Sequence, residues 1–270
     1  MLELSTLQKT FFPQTPNEVR ALQGVSLVIE PGSFVVVIGG NGSGKSTLLN
    51  AIAGSFPVDS GSIRLAGHEI TRWPEHRRAR FIGRVFQNPF SGTAPTMTIA
   101  ENLVLAERRG KMRGLGPALA PGHRSELRER IRRMGLGLEG RLDSPMGTLS
   151  GGQRQSLTLL MSALVRPELL LLDEHTAALD PRSAEQVMRL TDQIVRADQL
   201  TTLMVTHSMQ HATQFGDRLI MMVRGRIVHD YRGAEKKRLR AEDLLARFEE
   251  IRRAEQLDES AAAMLREHYV

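Results

Sequence analysis

Apolar positions along the chain predict strands in its first third and helices in its middle. Ala21–Ile29 alternates in part between apolar and polar residues, as a half-buried strand does. Phe34–Ile38 is a continuous run rich in β-branched residues, the pattern of a strand buried on both faces of a parallel sheet. Strand patterns are absent from Asn88 to Arg166. Helices are predicted over Ser46–Ala53, Thr98–Arg108, Ser125–Met134 and Ser150–Val165.

The second half of the chain returns to strands, and these alternate with helical segments. Leu169–Leu172 and Thr201–Thr206 are apolar runs, and Asp180 followed by proline predicts the start of a helix between them. Leu219–Val223 and Ile227–His229 flank a turn and predict a hairpin. Strands that alternate with helices favour an α/β fold built on a mostly parallel sheet.

The composition is that of a globular chain. It has 270 residues, of which 41% are hydrophobic and 24% charged, and it has no cysteine. No apolar run approaches the length of about 18–20 residues that a membrane-spanning helix needs. Because the chain has no cysteine, a disulfide framework, a thiolate metal site and a cysteine nucleophile are excluded.

The net charge of +6 is concentrated in one segment. Residues 107–133 hold nine basic and three acidic residues, and the rest of the chain is balanced. Such a charge first indicates nucleic acid or an anionic membrane surface as partner, while a solvated helix face explains it equally well. The nine basic residues are Arg108, Arg109, Lys111, Arg113, Arg124, Arg128, Arg130, Arg132 and Arg133.

A glycine-rich segment lies where a predicted buried strand leads into a helix. Residues 39–46 read Gly-Gly-Asn-Gly-Ser-Gly-Lys-Ser and match the phosphate-binding pattern G-x-x-x-x-G-K-[ST]. Glycines let backbone amides approach phosphate oxygens, and the following helix directs its positive N-terminal end at the anion. Lys45 adds a positive charge for the terminal phosphates, and the Ser46 hydroxyl is a ligand for Mg²⁺.

Two carboxylates follow the apolar run Leu169–Leu172. Asp173 and Glu174 come at the edge of the sheet where ligands of open α/β folds bind. A surface acid pair at a strand end is common and by itself indicates little. In a chain that also has a phosphate-binding loop, such a pair indicates a nucleotide-hydrolysis site. It predicts that Asp173 holds Mg²⁺ and that Glu174 orients or deprotonates the attacking water.

A second glycine pair opens the helix predicted from Ser150. Leu149–Gln153 reads Leu-Ser-Gly-Gly-Gln, which by itself also fits a plain helix cap. With the phosphate-binding loop before it and Leu-Leu-Leu-Leu-Asp-Glu after it, this signature segment resembles that of the ATP-binding cassette (ABC) ATPases. The resemblance covers about Leu2 to His229.

The resemblance implies roles for further residues. Gln87, after the predicted strand Phe81–Phe86, matches a glutamine that contacts Mg²⁺ and the attacking water. His207 matches a histidine that contacts the γ-phosphate, and Asp180 lies in a loop that crosses to a partner subunit. Phe11 matches an aromatic residue that stacks on adenine, although the adjacent Phe12 leaves this assignment open.

The expected sites form four groups. The expected catalytic residues are Glu174, His207, Gln87 and Lys45. The expected ATP-binding residues are Phe11, Gly39, Gly40, Asn41, Gly42, Ser43, Gly44, Lys45, Ser46 and Thr47. The residues expected to contact ATP on a partner subunit are Ser150, Gly151, Gly152, Gln153 and Asp180. The expected Mg²⁺ ligands are Ser46, Gln87 and Asp173.

The resemblance also implies the fold and the domains. It implies a P-loop NTPase core, with a mostly parallel sheet and an antiparallel N-terminal β part, interrupted by a helical subdomain. Residues 1–87 and 167–229 form the ATP-binding core, and 88–166 form the helical subdomain with the signature segment. Residues 230–270 form a helical tail, since Leu244, Leu245, Phe248 and Ile251 fall at helical spacing.

Two residues depart from the family pattern. His175 stands where a proline usually follows the catalytic glutamate, and Ala177 stands where a serine usually begins the loop that contains Asp180. Because His175 is titratable and adjoins Glu174, we expect hydrolysis to be more sensitive to pH than is usual.

The function implied is ATP hydrolysis coupled to transport. Two chains, or a chain and a paired cassette, enclose ATP and Mg²⁺ head to tail, with transmembrane permease subunits as partners. The segments 92–98 and 173–180 resemble an importer subgroup for small solutes, among them amino acids, that also uses a substrate-binding protein. The chain is expected on the cytoplasmic face of the inner membrane, where residues 107–133 face the membrane or the permease, and no nucleic acid is expected.

Three alternatives stay open. A soluble ABC ATPase acting on nucleic acid or ribosomes is disfavoured, because the 61 residues between Gln87 and Leu149 leave no room for a very long coiled coil and only one cassette is present. A non-enzymatic ATP sensor is disfavoured by the full catalytic set. The third alternative is the ATPase of an exporter.

Overall fold

The computed structural model describes residues 1–111, 119, 121–251 and 253. Its strands are β1 (Leu2–Phe11), β2 (Val19–Ile29), β3 (Phe34–Gly39), β4 (Ser60–Leu65), β5 (His68–Glu69), β6 (Ile82–Val85), β7 (Leu169–Asp173), β8 (Thr202–Val205), β9 (Arg218–Val223) and β10 (Arg226–Arg232). Its helices are α1 (Lys45–Ala53), α2 (Glu75–Arg78), α3 (Ile99–Glu107), α4 (Pro121–Arg133), α5 (Gly151–Leu164), α6 (Pro181–Ala197), α7 (Met209–Gln214) and α8 (Gly233–Arg238). A last helix, α9, includes residues 241–251.

A six-stranded sheet forms the centre of the fold. Its strand order is β10-β9-β3-β8-β7-β6, and all neighbouring pairs are parallel except β9 with β10. Every residue of β3 is buried, as the continuous apolar run predicted. The mostly parallel sheet and the hairpin of β9 and β10 are confirmed, and the carboxyl ends of β3, β7 and β8 meet at one edge.

A four-stranded antiparallel sheet lies against one face of this centre. Its order is β2-β1-β4-β5. Leu4 of β1 joins Val35 and Val37 of β3 and Leu48 and Ile52 of α1 in one buried cluster. Burial of each such side chain contributes about 1.5–3 kcal/mol, so α1 is held firmly between the two sheets.

Helices cover the opposite face of the central sheet. Val36 and Ile38 point away from α1 and pack in a cluster with Met188 and Leu190 of α6. Leu244 of α9 is completely buried in the same cluster. The helical spacing predicted in the tail is therefore confirmed for residues 241–251, and the rest of the tail beyond 253 lies outside the described residues.

A third cluster belongs to the middle of the chain. Leu103 of α3, Leu127 and Ile131 of α4 and Leu157 of α5 are all buried together. The side chain and backbone of Thr98 form a capping box with Glu101 at the start of α3. The predicted helical middle part is thus present, although the domain bounds stay a prediction.

Two local differences from the predicted elements stand out. β1 was not predicted, because its buried positions Leu2, Leu4 and Leu7 lose strict alternation where the register with β2 shifts. α4 begins at Pro121, four residues before the predicted start, since proline suits a first helical turn.

No helix within the described ranges has both the length and the apolar character to span a membrane.

Candidate active site

The phosphate-binding loop connects β3 to α1. Gly44 precedes α1 with φ 97°, and no side chain caps the helix start, so its first amides are available to an anion. A Cβ at Gly39 would lie 2.5 Å from the carbonyl of Met222, which excludes any larger residue. A Cβ at Gly40 or at Gly42 would meet no other atom within 4 Å. At its glycines the loop therefore presents backbone amides that no side chain covers.

Lys45 holds this loop in shape. Its Nζ donates to the carbonyl oxygens of Gly39 and Gly40, at 2.9 Å each, and only 5% of the residue is exposed. Burial lowers the pKa of the Lys45 ammonium, and the charges of Glu174 and Asp173 act in the opposite direction. The lysine and the two carboxylates thus form one electrostatic group.

Glu174 and His207 meet at the carboxyl ends of β7 and β8. His207 Nε2 lies 2.6 Å from Glu174 Oε1. Glu174 adopts φ 47°, a left-handed conformation that a non-glycine residue rarely takes, and its amide donates to the Val205 carbonyl at 3.0 Å. Such strain at a strand end is typical of functional sites.

Asp173 has a neighbour that sequence reasoning missed. Arg84 of β6 places Nη2 3.5 Å from Asp173 Oδ2. Burial raises the pKa of the Asp173 carboxyl, while Arg84 and Lys45 oppose this shift. The signal in the sequence is a charged residue inside the apolar strand Ile82–Val85, three positions before Gln87.

The imidazole of His175 is buried and neutral. Only 1% of the residue is exposed, and the Thr191 hydroxyl lies 3.0 Å from its Nε2. Thr191 donates its own proton to the Val187 carbonyl, so His175 Nε2 is the donor of the pair. Burial, aided by His211, lowers the pKa of His175 to about 3. The expectation of a pH-sensitive hydrolysis through His175 is therefore wrong, since this group does not titrate near neutrality.

Gln87 is exposed in the loop after β6. Neighbouring residues of this loop contact α5, the helix that begins in the signature segment. Gln155 of α5 donates to the Phe86 carbonyl at 2.8 Å. The guanidinium of Arg154, 1% exposed, lies 4.1 Å from the ring centroid of Phe90. The loop that carries Gln87 is thus attached to the start of α5 on both sides.

The signature segment forms a second group around Ser183. Ser150 and Gln153 form a capping box at the start of α5, so the plain helix cap is present. A Cβ at Gly152 would lie 2.8 Å from the Ser183 side chain, so only glycine permits this approach. Asp180 caps α6 by accepting from the Ser183 amide at 3.0 Å. Both caps leave the exposed side of the segment open to a partner.

Phe11 is half-buried at the end of β1. Its ring meets that of Phe56 edge to face, with 5.2 Å between centroids, and Lys9 Nζ lies 5.5 Å from its centroid. The adjacent Phe12 is 67% exposed. Phe11 therefore packs on Phe56, and its role in adenine stacking stays a prediction.

The expected Mg²⁺ ligands have the chemistry that this ion prefers. Ser46, Gln87 and Asp173 offer a hydroxyl, an amide oxygen and a carboxylate, all hard oxygen donors. In the part of the chain that the structure describes, no group of three or more His, Cys, Asp or Glu residues competes as a metal site. The residues present therefore fit Mg²⁺.

The family model described as "ABC transporter" matches residues 22–177, from β2 past Glu174. This chain belongs to the ABC transporter family. It is an ATP-binding and ATP-hydrolysing subunit of such a transporter, and its P-loop α/β fold with a helical part is that of the family.

Relatives and solved structures agree with this assignment. The chain is 47% identical over 251 residues to the tyrosine transport ATP-binding protein of Clostridioides difficile (strain R20291), covering 92% of this chain and 99% of the relative. It is 36% identical to the lipoprotein-releasing system ATP-binding protein LolD of Ruegeria pomeroyi, covering 84% and 96%. The dimeric post-hydrolysis structure of the ATP-binding cassette MJ0796 bound to ADP and Pi has a TM-score of 0.73 at 29% identity, covering 86% of this chain and 98% of that one.

Proposed function

We propose that this ABC ATPase powers the import of a small solute, of the amino-acid class, through separate membrane permease subunits. The observation that carries the proposal is the 47% identity over nearly the full length of a tyrosine transport subunit. Identity to the lipoprotein-releasing subunit is lower, at 36%. The solute itself is selected by the permease and by a substrate-binding protein, which we include among the partners.

The site supports in-line attack of water on the terminal phosphate of ATP. Gly39–Thr47 bind the phosphates through amides, with Lys45 as the fixed positive charge. Glu174 holds the attacking water, and His207 orients Glu174 and the terminal phosphate. Phe11 stacks on adenine. Ser46, Asp173 and Gln87 would hold Mg²⁺, which would neutralise charge on the phosphates.

The complete site needs two copies of the cassette. Ser150–Gln153 and Asp180 lie around Ser183, in a group distinct from the contacts of Lys45. We assign these residues to the ATP held by a partner, in a head-to-tail dimer. The similarity to a dimeric cassette bound to ADP and Pi supports this arrangement. ATP binding then favours closure, and hydrolysis reopens the dimer.

A groove at the edge of the central sheet is the docking place that we assign to the permease. It has a volume of about 370 Å³ and lies between β6, α3 and α5, beside the loop of Gln87. Leu105 in its lining is 52% exposed, and Phe90 nearby is 62% exposed. Apolar side chains that remain exposed beside a catalytic loop fit a protein partner. The chain then lies peripherally on the cytoplasmic face of the inner membrane.

We keep the division into a core of residues 1–87 and 167–229, a helical subdomain of 88–166 and a tail of 230–270 as part of the proposal. Several arginines of the basic segment have partners within the chain. Arg124 pairs with Asp143, Arg132 pairs with Glu129, and Arg109 donates to the carbonyls of Ser162 and Val165. Arg113 lies outside the described residues.

Copurification of this chain with a candidate permease, chosen from the genes that neighbour its own, tests the function. The complex is reconstituted in vesicles, and ATP hydrolysis is measured with each of a panel of amino acids and the binding protein. Stimulation by one amino acid, with its movement into the compartment that holds the ATPase, supports import. Transport in the opposite direction would replace the importer by an exporter, and association with RNA or ribosomes instead of a permease would contradict both.

A further inference from the structure

Arg84 lies between the expected Mg²⁺ site and the end of α1. Its Nη2 contacts Asp173 Oδ2 at 3.5 Å and Asn50 Oδ1 at 2.5 Å, and its Nη1 contacts Ser55 Oγ at 3.3 Å. Its guanidinium carbon lies 4.6 Å from the ring centroid of Phe86, the residue before Gln87. The side chain is 14% exposed. One cation therefore contacts the carboxylate, the helix after the phosphate-binding loop and the loop of Gln87.

The same side chain lines the groove at the sheet edge, together with Leu105, Met161 and Arg109. The Nε atoms of Arg84 and Arg109 are both buried and have no hydrogen-bond partner among the described residues. Unpaired guanidinium donors in a buried position call for an acceptor. Because both atoms are buried, a segment that offers carboxylate or carbonyl oxygens to the groove pairs with them once the guanidinium groups turn toward it.

We propose that Arg84 is a positioning residue that links occupation of this groove to the Mg²⁺-binding carboxylate of Asp173. The proposal rests on the proposed function, because the occupant is a permease segment that presents carboxylate or carbonyl oxygens. In the free chain, the guanidinium stays beside Asp173 and opposes the binding of a second cation. An acceptor in the groove draws Arg84 away, and Asp173 then binds Mg²⁺ more readily.

The first test uses the free, full-length chain. Binding of a fluorescent ATP analogue is measured as the Mg²⁺ concentration is raised, for wild type and for Arg84→Met, Arg84→Lys and Arg64→Met. Arg64→Met is the matched control, because it removes the same charge from an exposed position on β4. Thermal melting checks that each variant is folded.

Removal of the charge should lower the Mg²⁺ concentration at half-saturation by about threefold or more, because a unit charge close to the ion is lost. Arg84→Lys keeps the charge, so its half-saturating Mg²⁺ concentration should change less. Arg64→Met should have the same half-saturating Mg²⁺ concentration as wild type. If folded Arg84→Met has the same half-saturating Mg²⁺ concentration as wild type, the proposal is overturned, independently of any result with the permease.

The second test compares the free chain with the chain in its permease complex. Complex formation should lower the half-saturating Mg²⁺ concentration of wild type but leave that of Arg84→Met unchanged. If wild type has the same half-saturating Mg²⁺ concentration when free and in the complex, the proposed link between the groove and Asp173 is contradicted. Leu105→Asp, which lines the groove without contacting Asp173, should lose the complex. If Leu105→Asp still forms the complex, the docking place in the proposed function is wrong, while the first test of Arg84 stands.

Discussion

His207 Nε2 lies 2.6 Å from Glu174 Oε1, at the carboxyl ends of two adjacent parallel strands. The register that pairs Asp173 with Val205 brings the residues after each strand to the same edge. Glu174 has a left-handed backbone at this point, and its side chain contacts His207. The histidine therefore fixes the carboxylate that we assign to the attacking water.

Replacing the carboxylate should separate binding from hydrolysis. Glu174→Gln keeps the size of the side chain and removes its basicity, so hydrolysis should fall by about a hundredfold or more, as is typical for loss of general-base assistance. ATP should still bind, because the phosphate-binding loop is unchanged. Measurement of turnover beside nucleotide binding checks this, and rapid hydrolysis by Glu174→Gln would reject the assigned base.

Loss of the histidine should act through Glu174. His207→Ala removes the contact of 2.6 Å and should lower kcat by about tenfold or more, with a smaller effect on KM for ATP. His76→Ala is the control, since His76 is an exposed residue of α2. Equal kcat values for wild type and His207→Ala would show that Glu174 needs no such partner.

Removing the buried ammonium should weaken nucleotide binding. Lys45→Met loses a charge-assisted bond to phosphate, worth about 1.5–3 kcal/mol, so affinity should fall by about ten- to a hundredfold. It also leaves the carbonyls of Gly39 and Gly40 without their donor. Titration of a fluorescent ATP analogue measures the change. Wild-type affinity in Lys45→Met would place the phosphates elsewhere.

His175 should influence stability toward acid rather than the pH profile of hydrolysis. Its pKa is about 3 in the folded chain, against about 6.5 in the unfolded chain. Below about pH 6.5 the unfolded chain binds a proton that the folded chain refuses until about pH 3, so the free energy of unfolding falls across this range. The slope from this group is at most about 1.4 kcal/mol per pH unit.

Denaturant unfolding between pH 7 and pH 4 measures this slope. His175→Asn should have a shallower slope than wild type, with Thr191→Val as a control that keeps the imidazole and loses its acceptor. The pH profile of hydrolysis near neutrality should be the same for wild type and His175→Pro. Parallel stability curves for wild type and His175→Asn would mean that His175 is not protected from protonation.

Local patterns predicted the parts of the site that lie on continuous segments. The phosphate-binding loop, the acids after β7 and the start of α5 each lie within a few consecutive residues. Over so short a segment, the spacing of the residues is enough to predict their relative positions. Arg84 escaped this reasoning, because its partners Asn50 and Asp173 lie 34 and 89 positions away. The burial of His175 likewise depends on α6 and is invisible in its neighbours along the chain.

The fold shows the same division. Buried runs such as Phe34–Ile38 predicted β3 well, because a parallel strand is apolar on both faces. β1 was missed, since its buried positions lose strict alternation where its register with β2 shifts. The electrostatic balance of residues 107–133 also depended on tertiary partners such as Asp143.

Mixing two inactive variants tests most directly whether the site is shared between two chains. Lys45→Met damages the phosphate-binding loop, and Gly151→Asp places a negative charge in the signature segment, where a Cβ has ordinary contact with Leu179 at 3.4 Å. Each variant alone should be nearly inactive. An equal mixture should recover about a quarter of wild-type hydrolysis, because half of randomly paired dimers contain one intact composite site. A mixture no more active than its components would contradict the head-to-tail site.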